Sequence, residues 1–335
     1  MLNDKITGSL DYFNRKRTGL RGAKYDVLVP TELGYNLPDE NVGSDQVRGG
    51  EVAVSYRDQK NGFTYSVGGN FSYARQKFLD SYKPKFGNSL DHFFNSGEHR
   101  NSNLFWGYET MGQFQSQEEI DNYKVNIDGQ NNKTLLPGDL IYKDLNKDGV
   151  IDNQDTRAIG YGTGKTPIMN FGLNLSLAYK GFDLAANFSG GAMYSFNRNF
   201  EMRWPFQNGG ALQQIFYDDH WHREDPFDPN SKWIAGKYPA MRFNDSNHSN
   251  YNKNSTFWLV NVKYLRCRTL ELGYSLNKVL LERSKIARAR IYVNAYNLFS
   301  IDNTHQYGVD AEIYDDNGLT YPQSKFVNVG VNLSF

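Results

Sequence analysis

The sequence predicts an all-β fold: an antiparallel transmembrane β-barrel segment, about eight long strands of a larger barrel, with long extracellular loops and short periplasmic turns. Three observations predict it. Several segments alternate apolar and small polar residues with a strict period of two. The connections between them alternate between long and short. The 335 residues include 23 Tyr, 22 Phe and 31 Gly, a composition suited to strands and frequent turns.

Strands are expected near residues 4–17, 46–57, 62–77, 167–179, 181–194, 257–277, 287–299 and 324–335. In IMNFGLNLSLAYKG, Met169, Phe171, Leu173, Leu175, Leu177 and Tyr179 share one face, and Asn170, Gly172, Asn174, Ser176 and Ala178 share the other. Phe182, Leu184, Ala186 and Phe188 continue the pattern after a short turn, and Phe63, Tyr65, Val67, Phe71 and Tyr73 show it earlier. At the end of the chain Val327, Val329, Val331, Leu333 and Phe335 oppose Asn328, Gly330, Asn332 and Ser334. A soluble β-sandwich also alternates, but its polar face meets water and usually carries Lys, Glu and Thr. Here that face is Gly, Asn and Ser, and Tyr or Phe cluster near strand ends, as in an interfacial girdle. On pattern alone a soluble all-β fold stays open beside the barrel.

The connections favour the barrel. RDQKNG, YKG and NKVLLERSKI are short, while residues 18–45, 78–166, 195–256 and 300–323 are long. Outer-membrane barrels place short turns on the periplasmic side and long loops outside. Two outer loops, 78–166 and 195–256, are too long for a minimal barrel, and the small inward residues suit a wide lumen.

Charge and composition exclude other classes. Lys+Arg and Asp+Glu balance at 37 each, which argues against a nucleic-acid protein that works through a broad basic surface. One cysteine, Cys267, excludes an intrachain disulfide framework. Mean hydropathy is −0.67, and no apolar run reaches the ~18 residues of a membrane helix. The N-terminus has no apolar core of the kind an export signal needs. G-x-S-x-G, P-loop and Rossmann patterns are absent, and GTGK at 162–165 reads as a loop.

One motif stands apart. YKDLNKDGVIDNQDTRAIG contains D-x-N-x-D-G-x-I-x-x-x-D from Asp144 to Asp155. Calcium takes six to eight hard oxygens, and this spacing supplies them from Asp144, Asn146, Asp148, the carbonyl of Val150, Asp152 and Asp155, with Gly149 for the turn. Asp155 replaces the usual Glu, and GDLIYK before the loop reads as a strand, which argues against a paired calcium sensor. A structural calcium that staples the 78–166 loop stands beside a plain turn rich in Asx hydrogen bonds. Asp218, Asp219, His220 and His222 lie close together, and two His at i, i+2 could ligate a metal, but no helical HExxH spacing is present and loop packing or substrate contact is expected instead. Phe105, Trp106, Tyr108, Trp204, Phe206, Trp221 and Trp233 are candidate stacking platforms for sugar rings, although most are expected to pack the loops together.

Taken together, KITGSLDYFNRKRTGL, NVGSDQVRGGEVAVSYR, FWGYETMGQFQSQEEIDNY, PGDLIYKDLNKDGVIDNQDTRAIG, FGLNLSLAYKGFDLAANFSGG, YLRCRTLELGYSL, IYVNAYNLFS and VNVGVNLSF resemble, in order and spacing, the C-terminal part of SusC/RagA-type TonB-dependent transporters of the Bacteroidetes outer membrane. The resemblance covers essentially residues 1–335. It implies a barrel of the ~22-stranded, plugged class. It also implies import of oligosaccharides or peptides with a SusD-like surface lipoprotein, energised by TonB through an N-terminal region outside this chain. The plug domain and TonB box are likewise expected outside it. Phe335 ends an alternating strand, as barrel precursors of this family do for the insertion machinery. Outer-membrane lipid is the expected surrounding, and no catalysis is expected. A secreted all-β carbohydrate-binding module stabilised by calcium is the alternative, and a polysaccharide-degrading β-enzyme the third reading.

Overall fold

Eight long strands follow one another along the chain, and each pairs antiparallel with its sequence neighbours. They are β1 (Ile6–Gly22), β2 (Glu40–Lys60), β3 (Phe63–Asp80), β4 (Met169–Tyr179), β5 (Phe182–Asn197), β6 (Leu259–Ser275), β7 (Arg288–Tyr296) and β8 (Phe326–Ser334). A computed structural model provides these coordinates; it describes residues 5–22, 30, 32, 34, 38–80, 86–164, 166–281, 285–312, 315–321 and 323–335. Parts of the expected 18–45 loop (23–29, 31, 33 and 35–37), of the 78–166 loop (81–85 and Lys165 of GTGK), of the 277–286 turn (282–284) and of the 300–323 loop (313, 314 and 322) lie outside the described residues. The short strand Ser300–Asp302 pairs with β6 beyond β7, so the expected 287–299 strand is interrupted, at Asn297 with φ 52°.

Register explains why the sheet has two different faces. Cross-strand partners point to the same side. One row reads Ile6, Tyr56, Val67, Leu175, Ala186, Leu270, Ala295 and Val327 across all eight strands. A neighbouring row on the opposite face reads Arg57, Ser66, Ser176, Ala185, Glu271, Asn294 and Asn328. The apolar side is open to its surroundings: Leu173 is 43 % exposed and Val331 58 %. Neither residue enters a closed core, as the barrel reading requires. The polar side is tied by short side-chain bonds, such as Thr7 to Ser55 at 2.6 Å and Asn328 to Asn294 at 3.0 Å. Arg290 spans its lower end, with Nε donating to Asp183 at 3.0 Å and Nη2 to Glu271 at 2.6 Å.

Two hairpins set the short-turn end. Asn61 and Gly62 have φ of 52° and 78°, and Lys180 and Gly181 have 47° and 88°. Positive φ at both central residues matches the twist of the flanking strands. A Cβ on Gly181 would also come within 2.9 Å of the Ser275 carbonyl on β6. Gly181→Ala is therefore expected to cost about 1–2 kcal/mol, read as a lower midpoint in urea unfolding of the full-length protein. Gly87→Ala, with open space around it, serves as the control.

Strands β1, β2 and β3 run 17, 21 and 18 residues. A tilted membrane strand needs only about 9–11. Because the hairpin turns fix one end, the surplus lies at the long-loop end. This is why β2 begins at Glu40 rather than at 46. Asp45, 1 % exposed, accepts there from Arg17 Nε at 2.8 Å and from Gln76 Nε2 at 2.5 Å, so the ladder continues through polar sequence.

Candidate functional site

The main hydrophobic core of the chain lies in the two long loops, which fold on each other into a cap. The first contributes Leu104–Tyr108 paired with Thr156–Tyr161, and Thr110–Gln113 paired with Leu140–Tyr142. The second contributes the helices Gln214–Asp218 and Ser249–Asn252 and a small hairpin of His222–Arg223 with Trp233–Ile234. Phe114, Ile127, Leu140, Tyr142, Tyr238 and Trp258 form one buried cluster drawn from both loops. Gly138, at φ 93°, allows the close approach: a Cβ there would meet the Trp221 ring at 2.2 Å.

Polar groups lock the cap in one arrangement. Asp139 is fully buried. Its Oδ1 accepts from Arg242 Nη1 at 2.9 Å and Asn250 Nδ2 at 2.7 Å, and its Oδ2 from Arg242 Nη2 at 2.6 Å and the Leu136 N–H at 2.8 Å. Asn250 accepts in turn from the Leu140 N–H at 3.0 Å, and its carbonyl accepts from Trp258 Nε1 at 2.7 Å. The Tyr142 hydroxyl donates to the Ser249 carbonyl at 2.8 Å. Burial pushes that phenol well above its ordinary range.

His248 packs beside this clamp, and burial, then the nearby Arg242 charge, hold its pKa below the ordinary histidine value. His220 is lowered by burial as well. On acidification the unfolded chain therefore takes up protons first, at its ordinary pKa of about 6.5. Cap stability is full above that pH and is lost as pH falls below it toward the folded values. Protection factors of amides around Thr134 and Asn250, corrected for the pH dependence of intrinsic exchange, are expected to fall between pH 7.5 and 5.5 in the full-length protein. In a His248→Gln variant that loss of protection is expected to shrink.

The Asp144–Asp155 loop is a set of interlocked turns. Asp144 accepts from the Lys147 N–H at 2.6 Å and the Gly149 N–H at 2.9 Å, and Gly149 takes φ 84° as its position demands. Asn146 accepts from the Asp148 N–H at 3.2 Å, Asp148 from the Val150 N–H at 2.9 Å, and Asp152 from the Gln154 N–H at 2.7 Å. Asp155 is fully buried and accepts from the Leu145 N–H at 2.7 Å and the Asp152 N–H at 2.9 Å. The shorter Asp at this position thus reaches both ends of the loop. The preceding segment is the strand Leu140–Tyr142. Among the described residues, no three His, Cys, Asp or Glu side chains are arranged to hold a metal ion as they stand.

The expected aromatic platforms divide into two groups. Tyr108 and Trp221 are buried in the cap, and Trp204 packs against its core. Trp106 is half-buried beside Phe93 and Phe94, with Arg100 5.1 Å from its ring. Phe105 is half-buried on the strand Leu104–Tyr108. Phe206 stacks on the exposed Phe243, and Trp233 lies under Arg223 at 4.7 Å. His220 and His222 each donate a ring N–H to a backbone carbonyl, at 3.0 and 2.8 Å, and Asp219 accepts from the Lys237 N–H at 2.8 Å. Asp218 accepts from Gln214 within one helical turn. These contacts tie the four into the loop, and Asp218 and Asp219 also line a cavity of the cap. The Asp139 clamp and the nearby Arg198 were not legible as a site, because their partners lie far apart in aperiodic loops.

No family model matches the chain. Curated relatives do. The chain is 25 % identical over 350 residues to TonB-dependent receptor P39 of Formosa agariphila, covering 93 % of this chain and 32 % of the relative. It is 23 % identical over 349 residues to TonB-dependent receptor SusC of Bacteroides thetaiotaomicron, covering 100 % of this chain and 30 % of the relative. The chain thus spans about a third of the length of the relatives it matches. Among solved structures it resembles the RagAB peptide transporter, with TM-score 0.65 and 20 % identity over 99 % of this chain and 34 % of that one. The RagAB peptide importer in its open-open state gives TM-score 0.64 and 21 % identity, covering 100 % of this chain and 33 % of that one.

Proposed function

We propose, for a chain that folds as barrel wall of the SusC/RagA-type TonB-dependent transporters, that the full-length protein imports oligosaccharides or peptides across the outer membrane. In this reading it works with a SusD-like surface lipoprotein and is energised by TonB. The observation that carries it is the two-faced sheet. An apolar face suited to lipid and a hydrogen-bonding face suited to a wet lumen run through the same strands, under a folded cap at one end. A secreted carbohydrate-binding module would leave that apolar face in water, where patches of this extent drive association. The role requires no catalysis. Deletion of the gene in its native host, with uptake of fluorescent peptides and oligosaccharides followed, is the test. Loss of uptake of at least one class, and co-purification of a surface lipoprotein with the wild type, are expected; unchanged uptake of both classes contradicts the proposal.

We also propose that a calcium ion orders the Asp144–Asp155 loop. Four carboxylates within twelve residues support it, together with the position-specific turn at Gly149. Binding requires Asp148 and Asp152, both exposed, to turn toward Asp144. A chelator is expected to speed proteolysis near residues 140–160 in the full-length protein. Asp148→Ala should abolish that response, and Asn153→Ala should preserve it. A wild type indifferent to chelator returns the loop to a self-capped turn.

A further inference from the structure

Arg198, just past the end of β5, is 1 % exposed. Its guanidinium carbon lies 4.5 Å from the Tyr307 ring centroid and 5.0 Å from those of Tyr238 and Trp258. Nη1 donates to the Tyr238 hydroxyl at 3.2 Å, while Nε and Nη2 have no hydrogen-bond partner among the described residues. A buried guanidinium with two unspent donors is costly unless something completes it.

The same two tyrosines line a cavity of about 470 Å3 in the cap, with Gln213, Asp218, Asp219 and Lys237 around it. Lys237 Nζ lies 5.7 and 5.9 Å from the two ring centroids. Two tyrosine rings thus lie close to both an ammonium of the cavity wall and a buried guanidinium. The two rings are not equally fixed. Tyr238 is 1 % exposed, and its backbone bonds to Asp219 and Trp221 on both sides. Tyr307 is half-buried and sits on a single turn, His305–Tyr307, that Gly308 ends at φ 69°.

We propose that this cavity is a gated carboxylate site: Lys237 draws in a carboxylate of the cargo, and Tyr307 swings aside so that Nε and Nη2 of Arg198 grip it in parallel. Paired guanidinium–carboxylate bonds are the strong form of such recognition. Asp218 and Asp219 share the wall and their charge opposes any anion, so cargo with several carboxylates is disfavoured most and a single carboxylate least. A peptide C-terminus and a single uronate in a neutral glycan both carry that group. The proposal rests on the import reading for the origin of the cargo, not for the binding chemistry.

The test uses the full-length protein in detergent, titrated by tryptophan fluorescence, to which the adjacent Trp258 contributes, and by calorimetry. The probes are tetra-alanine with its C-terminal amide, and a glucuronate-containing disaccharide with its methyl ester. At least one free acid is expected to bind about tenfold or more tightly than its neutral partner, and the pair that discriminates identifies the source. Arg198→Gln should remove the preference, and Tyr307→Ala should keep it while speeding association. If Arg198→Gln does not fold, Lys237→Gln serves, with a several-fold weaker preference expected. Equal binding of acid and neutral probes in the wild type, or an unchanged preference in the folded variant, overturns the proposal. Unchanged uptake of both peptides and oligosaccharides on deletion of the gene, with this selectivity intact in the purified protein, instead counts against the import reading alone.

Discussion

Asp139→Ala is expected to loosen the loop cap by about 3–5 kcal/mol, the cost of breaking a buried ion pair from one side. The carboxylate is fully buried and receives both Nη groups of Arg242, the Asn250 amide and the Leu136 N–H. Alanine leaves the Asn250 amide and the Leu136 N–H without this acceptor and strips Arg242 of its counter-charge, with only the Ala240 carbonyl at 3.3 Å and the Thr134 carbonyl at 3.2 Å left to its Nη groups. The Arg242 side chain is 13 % exposed, so water restores little. The effect should stay in the cap, because the strands below hold their own ladders. Limited proteolysis of the full-length protein is therefore expected to cut within 130–150 and 240–252 while the barrel remains resistant. Combining Asp139→Ala with Arg242→Met should recover part of the loss, since the orphaned charge is then gone. Full resistance in the single variant contradicts this account of the clamp.

Leu173→Lys and Val331→Lys are expected to destabilise the assembled barrel by about 2–4 kcal/mol each, the range for a cation near the bilayer midplane on the lipid face. Both side chains belong to the apolar side and lie mid-strand on β4 and β8. Asn174→Lys and Asn332→Lys, one residue along and on the other face, are expected to change little. Refolding into lipid vesicles against urea measures all four. The contrast between neighbours matters more than either value, because a one-residue step reverses the face.

The faces were legible because each mid-strand residue meets one of two very different media. Leu173 and Asn174 could not exchange places, so the period of two survives in the sequence. The strand ends were less legible. Glu40–Gln46 and Arg17 pair above the apolar band, where both faces are polar and alternation carries no information. The aromatic residues of the loops were ambiguous for another reason. A large ring serves a cargo platform and a packed core equally well, so Tyr108 and Trp221, two candidate platforms, lie in the core. Asp139 and Arg242 are 103 residues apart in irregular sequence, and only the folded cap brings them together. In the Asp144–Asp155 loop, spacing fixed the turn at Gly149. The same residue types satisfy an Asx turn and a cation, so spacing alone does not separate the two.

Spin-label accessibility tests the central claim, that the apolar face meets lipid and the polar face a wet lumen. Labels are placed singly at Leu173→Cys and Asn174→Cys in the full-length protein reconstituted in bilayers, with the native Cys267, which is buried, replaced by alanine. The label at 173 is expected to collide mainly with oxygen dissolved in lipid, and the label at 174 mainly with a water-soluble nickel chelate. Preference of both labels for the aqueous relaxant, or the reverse order, would contradict the barrel-wall account.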